Sequence, residues 1–501
     1  MATSSAEPAR LEPYPDALAG ADEQLTTLAS NLDGTMSEFV AGAGRFRPSG
    51  FDSAGPGDSI RDLRDESRYL ADWVARIGAG FRAADTDADG DGIFEADDGF
   101  LSGLVGPASM AAAMRIPDAG ADPTAVAQWW AMLPPFLRDR LIEDRFQELG
   151  ALRGLPAPDT DRINRLRLAD DIENIGGRLD DVNAQIDQQL IEDGQVDQAL
   201  LDERDRLQVS LSNARKIDAQ MSALDTAYAD SGPQPYLLTY SPDNAGRFAV
   251  ALGNPDTADN TAVVVPGTSH DVRYEPGLFG PVEQGRVLYD EMYAQSGPAT
   301  GPGGTTNSVI IWMGADMPDN IPQATDGTYG DSAHGAARLR DDVAGYQAAQ
   351  TQANVGNTHM PSSGHVTVVA HSYGSYLTGE AVKSGMEVDD FVNIGSPGIE
   401  ADNAGEMGMP NEHVWAGSAE GAWWGDGDIV GDTMWHGTPP TDEDFGATVF
   451  DTSDSAGHSE YYKEGSQSLR NIGRIAVGRY DDVERRAPDD YNDRSEHPGH
   501  S

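Results

Sequence analysis

The spacing of apolar residues divides the chain into a helical front and a strand-rich back. Residues 18–84 contain two stretches with apolar positions every three or four residues, separated by the break GRFRPSGFDSAGPGDS. In the second stretch Leu70, Trp73, Val74, Ile77 and Phe81 fall on one helical face, so a helical hairpin is expected within 1–100. A further helical region, 101–235, opens with AVAQWWAML and runs into a longer pair. Leu168, Ile172, Ile175, Leu179, Val182, Ile186 and Leu190 step by four and three, IEDGQ interrupts, and Leu200, Leu207, Leu211, Ile217, Met221 and Leu224 resume. That pattern predicts an antiparallel αα-hairpin with one apolar seam, each buried Leu or Ile contributing about 1.5–3 kcal/mol. Such a seam suits a packing arm, or a contact with a second copy of the chain, better than a moving lid.

The period changes after residue 235. Short apolar runs, YLLTY (236–240), RFAVAL (247–252), AVVV (262–265), SVIIW (308–312), HVTVVA (365–370), DFVNI (390–394), HVWAG (413–417) and ATVF (447–450), alternate with loops and helical stretches such as AARLRDDVAGYQAAQ. This is the pattern of a mostly parallel sheet flanked by helices, its first two strands an antiparallel hairpin, over 236–484. Residues 485–501 form a polar tail.

Charge narrows the partners. Across 501 residues, 83 acidic side chains against 34 basic ones give a formal charge of -49, which makes nucleic acid and anionic lipid poor partners. No cysteine is present, which excludes disulfides, a thiol nucleophile and thiolate metal sites. The opening MATSSAEPARLEPYPDALAG lacks a basic region followed by an apolar run, and no run spans a membrane, so a soluble cytoplasmic protein is expected, with export without a cleavable leader as the alternative.

The candidate chemistry centres on VTVVAHSYGSYLTG (366–379), a β-branched run entering a small-residue turn and then a helix. In a nucleophile elbow the residues two positions either side of the serine must be small, because strand and helix approach closely there; Ala370 and Gly374 flank Ser372 in this way. The N–H of Tyr373 is one expected oxyanion donor, and the N–H of Thr268, in the loop VVVPGTSHD where Gly267 allows a close approach, is the second. A serine nucleophile needs a base and an orienting carboxylate from loops after later strands. His371 adjoins the serine and is directed away from it; His458, in DTSDSAGHSEYYKEG after the last strand, is placed as the base, with His436 in MWHGTPP as runner-up. Asp428, in SAEGAWWGDGDIVGD, is the chosen acid, with Asp426 and Asp432 as alternatives.

Taken together, AVAQWWAML, GRFAVALGNPDTADNTAVVVPGT, VIIWMGADMP, VVAHSYGS, VNIGSPGI, DIVGD, WHGTPPTDEDFGA and HSEYY resemble an actinobacterial α/β-hydrolase family long catalogued as a domain of unknown function. The resemblance spans about two thirds of the chain and implies an α/β-hydrolase fold, with Ser372 and His458 in a triad and an acid near Asp428. The expected activity is a serine hydrolase cleaving an ester, or an amide, in a small-molecule or lipid-like substrate with no catalytic cofactor; the alternative is a secreted or surface interaction protein with a hydrolase-like scaffold and a helical partner-binding region.

One motif stands apart. DTDADGDGIFEADDGF places Asp87, Asp89, Asp91, the Ile93 carbonyl, Glu95 and Asp98 at the ligand positions of an EF-hand loop, with Gly92 at the sharp turn, so a structural calcium ion is expected there. Asp98 stands where a bidentate Glu is usual, which lowers the expected affinity.

Overall fold

The computed structural model describes residues 4–5, 95–96, 115–270, 272–273, 279–297, 305–320, 323–324, 332–355, 364–419 and 436–488. Two compact units emerge, Met1–Pro117 with Trp129–Arg145, and Asp118–Gln128 with Phe146–Ser501. In the first unit, Ser4–Ser5 and Glu95–Ala96 form a short antiparallel pair. Helices α1 (Pro123–Met132) and α2 (Pro135–Leu149) each contribute residues to both units, the latter broken at Arg145 (φ −137°, ψ 23°).

The second unit is built on an eight-stranded sheet. Its strands are β1 (Pro235–Ser241), β2 (Arg247–Leu252), β3 (Asn260–Val265), β4 (Asn307–Met313), β5 (His365–His371), β6 (Asp390–Ile394), β7 (Val414–Gly417) and β8 (Thr448–Val449). Their order across the sheet is β1-β2-β4-β3-β5-β6-β7-β8, with β2 antiparallel to both neighbours and every pair from β4 onward parallel. This is the mostly parallel sheet with a leading hairpin that the alternating runs predict.

The inner strands are buried on both faces, which is why they read as unbroken apolar runs. Along β4 the period of two still sorts the side chains: Val309, Ile311 and Met313 enter one core, Ile310 and Trp312 the other. The first core is closed by Leu288 and Met292 of α5 (Phe279–Ser296) and by Ile472 and Ile475 of α8 (Gln467–Ala476). The second is closed by Leu339 and Val343 of α6 (Ser332–Ala353) and Leu377 of α7 (Tyr373–Lys383).

The αα-hairpin is α3 (Ala157–Asp193) and α4 (Gln198–Ala227), within the same unit as the sheet. Leu168, Ile217, Met221 and Leu224 of its seam join the first core, whereas Leu190, near the tip, is 50% exposed. Its docking also uses polar groups that apolar spacing does not mark. Asn164 Nδ2 donates to the carbonyls of Leu237 and Leu238 (3.0 and 3.1 Å), where a register shift disturbs β1, and Asp161 accepts the Leu237 N–H at 2.7 Å. Asn213 donates to Pro242 O (2.9 Å) in the turn beyond. These bonds satisfy backbone groups that an edge strand would otherwise offer to another chain. Among the described residues no helix is long and apolar enough to cross a membrane. At the C-terminal end the chain remains tied to the sheet, Arg486 N–H donating to Val449 O at 3.2 Å.

Candidate active site

Strand order reverses around β3: the chain passes from β3 to β4 on one side, then crosses back to β5 on the other. In a parallel sheet such a reversal sends the two following connections to opposite faces and leaves a crevice beyond the strand ends. The two loops that open at this crevice are 266–270 after β3 and the turn at Ser372 after β5.

Ser372 holds φ 55° and ψ −129°, a conformation that only glycine adopts without strain. The turn is pinned on three sides. Ser372 N–H donates to Ile394 O at the end of β6 (3.0 Å), Ser375 N–H to Ser372 O (2.9 Å), and Ser375 Oγ to Ala370 O (3.1 Å). The demand for small neighbours has a direct steric cause. A Cβ on Gly374 would lie 2.5 Å from the carbonyl oxygens of Val265 and Pro266, and one on Gly267 would lie 2.6 Å from Ser372 Cβ and 3.1 Å from its Oγ. The loop carrying Thr268 therefore abuts the serine. Tyr373 opens α7, and the first N–H groups of a helix have no acceptor within it.

His458 is brought to the same turn, across its neighbour. The rings of His371 and His458 lie 4.6 Å apart at 38°, and His371 Nε2 is 2.7 Å from the His458 carbonyl. A carbonyl only accepts, so the His371 proton sits on Nε2 and donates to the backbone of His458. His371 is thus committed to the backbone of His458 and ties that loop to the end of β5. Nothing in the sequence flags this contact, which joins residues 87 positions apart.

His436 is also near the elbow helix, in a different setting. It stacks on Tyr376 (4.3 Å, 26°) and meets Tyr373 edge-on (5.9 Å), and its Nε2–H donates to Ala324 O at 2.9 Å. Burial pushes its imidazole below the ordinary value despite the bond to Ala324, so the ring is neutral at pH 7. Asp428, Asp426 and Asp432 lie outside the described residues, as do Asp87, Asp89, Asp91, Ile93 and Asp98 of the calcium-type loop; Glu95 is described only by its strand pairing with Ser5.

A second polar cluster occupies the opposite ends of the same strands. Asp390, fully buried at the start of β6, accepts from His365 Nε2 (2.7 Å) and Tyr480 Oη (2.7 Å) on one oxygen, and from His413 Nδ1 (2.8 Å) and Trp415 Nε1 (2.8 Å) on the other. Burial alone would raise its pKa, but these hydrogen bonds together hold it below the usual carboxylate range. Burial likewise opposes the charge on His365, and the bond and charge of Asp390 outweigh it, raising the imidazole. The other ring nitrogen of His365 faces Ala476 O at 3.2 Å, so both nitrogens meet acceptors, as in an imidazolium.

A family described as alpha/beta hydrolase matches residues 241–425, a span that includes Thr268 and Ser372. The uncharacterized protein Mb0988c of Mycobacterium bovis is 30% identical over 199 residues, 39% of this chain and 70% of that protein. The chain belongs to the α/β-hydrolase family. The uncharacterized protein Rv2079 of Mycobacterium tuberculosis is 29% identical over 400 residues, covering 74% of this chain, and the chain spans 57% of that relative's length. Carboxyl esterase 2 from the mycorrhizal fungus Tuber melanosporum is a structural neighbour at 11% identity and a TM-score of 0.28, over 54% of this chain and 99% of that one.

Proposed function

We propose that this α/β-hydrolase is a serine esterase working through an acyl-enzyme. The observation that carries the reading is the strained backbone of Ser372 at the crevice where strand order reverses, next to a glycine whose lack of a side chain leaves room beside Oγ. In this reading Ser372 Oγ attacks the ester carbonyl while His458 takes its proton. The tetrahedral oxyanion is held by the N–H groups of Thr268 and Tyr373, each worth about 3 kcal/mol of barrier. Collapse expels the alcohol, which leaves with the proton from His458, and water then releases the acid by the same route in reverse. Asp428 orients the imidazole, with Asp426 and Asp432 as rivals in the same stretch of sequence. His371, donating to the His458 carbonyl, is a positioning residue for the base.

The test is hydrolysis of a series of acyl esters of graded chain length by wild type and single variants. Ser372→Ala and His458→Ala are expected to lose roughly 10³-fold or more in kcat/KM, and His436→Ala less than about tenfold. A large loss in His436→Ala with His458→Ala active would transfer the role of base to His436; full activity in Ser372→Ala would remove the reading altogether.

A further inference from the structure

Arginine supplies nearly all of the 34 basic side chains, and many of those described pair with carboxylates. Arg153 pairs with Asp342 at 2.7 Å, Arg165 with Asp161 at 2.8 Å and Asp225 at 2.7 Å, and Arg273 reaches Asp316 and Asp319 at 3.3 and 3.2 Å. With a formal charge of -49, carboxylates are available nearly everywhere. Two arginines depart from this pattern in one place. Arg167 on α3 and Arg247 at the start of β2 both line a polar cavity of about 370 Å³ between the 150–155 loop, α3, β1 and α6. Neither has a carboxylate at ion-pair distance among the described residues.

The bonds of Arg167 go to neutral oxygens. Its Nη1 donates to Asn164 Oδ1 at 2.9 Å and reaches the carbonyls of Gly150 and Tyr240 at 3.5 Å, while Nε is buried with no acceptor. The guanidinium lies over the Tyr240 ring, 5.6 Å from its centre. Burial lowers its pKa, Asp171 opposes this without forming an ion pair, and Arg247 adds a like-charge repulsion. Two cations that repel one another, one of them partly desolvated, carry a cost that Asp171 offsets only at a distance.

The acids on the cavity wall form no ion pair with Arg167 or Arg247. Asp342 is committed to Arg153 and to Trp312 Nε1 (2.9 Å). Asp256 accepts the Ala157 N–H at 2.8 Å and is pushed up to about 7 by burial, so near neutral pH it carries only part of a charge. Asp243 is the remaining carboxylate on the wall. None of the lining residues belongs to the Ser372 turn or the His458 loop, so the cavity is separate from the proposed catalytic crevice.

The geometry points to a second binding site, in which Arg167 and Arg247 hold the oxyanion of a small phosphate- or carboxylate-bearing molecule. A planar guanidinium presents paired N–H donors that match either group, and a cavity of this size admits a small metabolite rather than a macromolecule. The assignment does not depend on the esterase reading.

The experiment measures the melting temperature of the full chain at low salt, titrated with inorganic phosphate and separately with citrate, against sodium chloride at matched ionic strength. A saturable rise with at least one of the two, weakened tenfold or more in apparent affinity in Arg247→Gln and unchanged in Arg204→Gln, is the expected result; which anion binds more tightly separates phosphate-bearing from carboxylate-bearing ligands. Arg167→Gln removes a buried group and is informative only if it folds, so Arg247→Gln, at a partly exposed position, carries the test. No rise above chloride with either anion, or equal affinity in Arg247→Gln and wild type, overturns the proposal.

Discussion

At its C-terminal end strand β5 delivers Ser372 in a backbone conformation that L-residues avoid, whereas at its N-terminal end the same strand carries His365, bonded to a carboxylate that also accepts from Tyr480, His413 and Trp415. One end stores strain and is lined by small residues; the other is saturated with hydrogen bonds. The difference separates what the sheet does from what keeps it folded. In the proposed reading a nucleophile must project from its strand, so its backbone does not relax into the ladder; the neighbouring ends are held by Ile394 O and the close approach of Gly374 to β3. The lower end has no such demand, so the buried carboxylate there can be paired fully, which is what makes its burial tolerable.

That contrast breaks most visibly at Asp390. Asp390→Asn leaves its donors facing an amide with one accepting oxygen, and a loss of about 3 kcal/mol of stability is expected in chemical denaturation. The ester-hydrolysis rate per folded molecule should stay within about twofold of wild type, since the cluster lies at the far ends of the strands. A variant of normal stability, or one that folds but loses turnover, would dissolve the division of labour between the two ends.

A smaller effect of opposite sign is expected at the top. Ser372→Gly removes strain of order 1–3 kcal/mol and adds back somewhat less through the flexibility of glycine in the unfolded chain, for a net stabilisation of about 1 kcal/mol. Ser372→Ala keeps the strained backbone and should melt as wild type does. Both lose activity, so a gain confined to the glycine variant reads the strain separately from the chemistry.

The sheet was legible from sequence because its strands are β-branched and buried on both faces, leaving apolar runs such as NTAVVV and NSVIIWM between polar loops. The tight turn at Ser372 was legible for a steric reason: only a small residue fits where Gly374 meets Val265 and Pro266, so the close approach leaves a trace in residue type. Contacts between distant polar side chains leave no such trace. Asp390 gathers partners from residues 365, 413, 415 and 480, and His371 reaches a carbonyl on the loop after β8, so neither spacing nor composition marks them. The hairpin illustrates both cases at once. Its apolar seam follows the expected four-and-three steps at Leu168, Ile217 and Leu224, while the bonds from Asn164 and Asp161 that attach it to β1 look, in sequence, like ordinary surface positions of an acidic helix.

Whether Ser372 is an activated nucleophile is measured directly by intact-mass analysis after treatment with a fluorophosphonate. A single adduct on wild type that maps to Ser372 and is absent from Ser372→Ala is the predicted result. An unmodified wild type, or an adduct that persists in Ser372→Ala, would contradict the account.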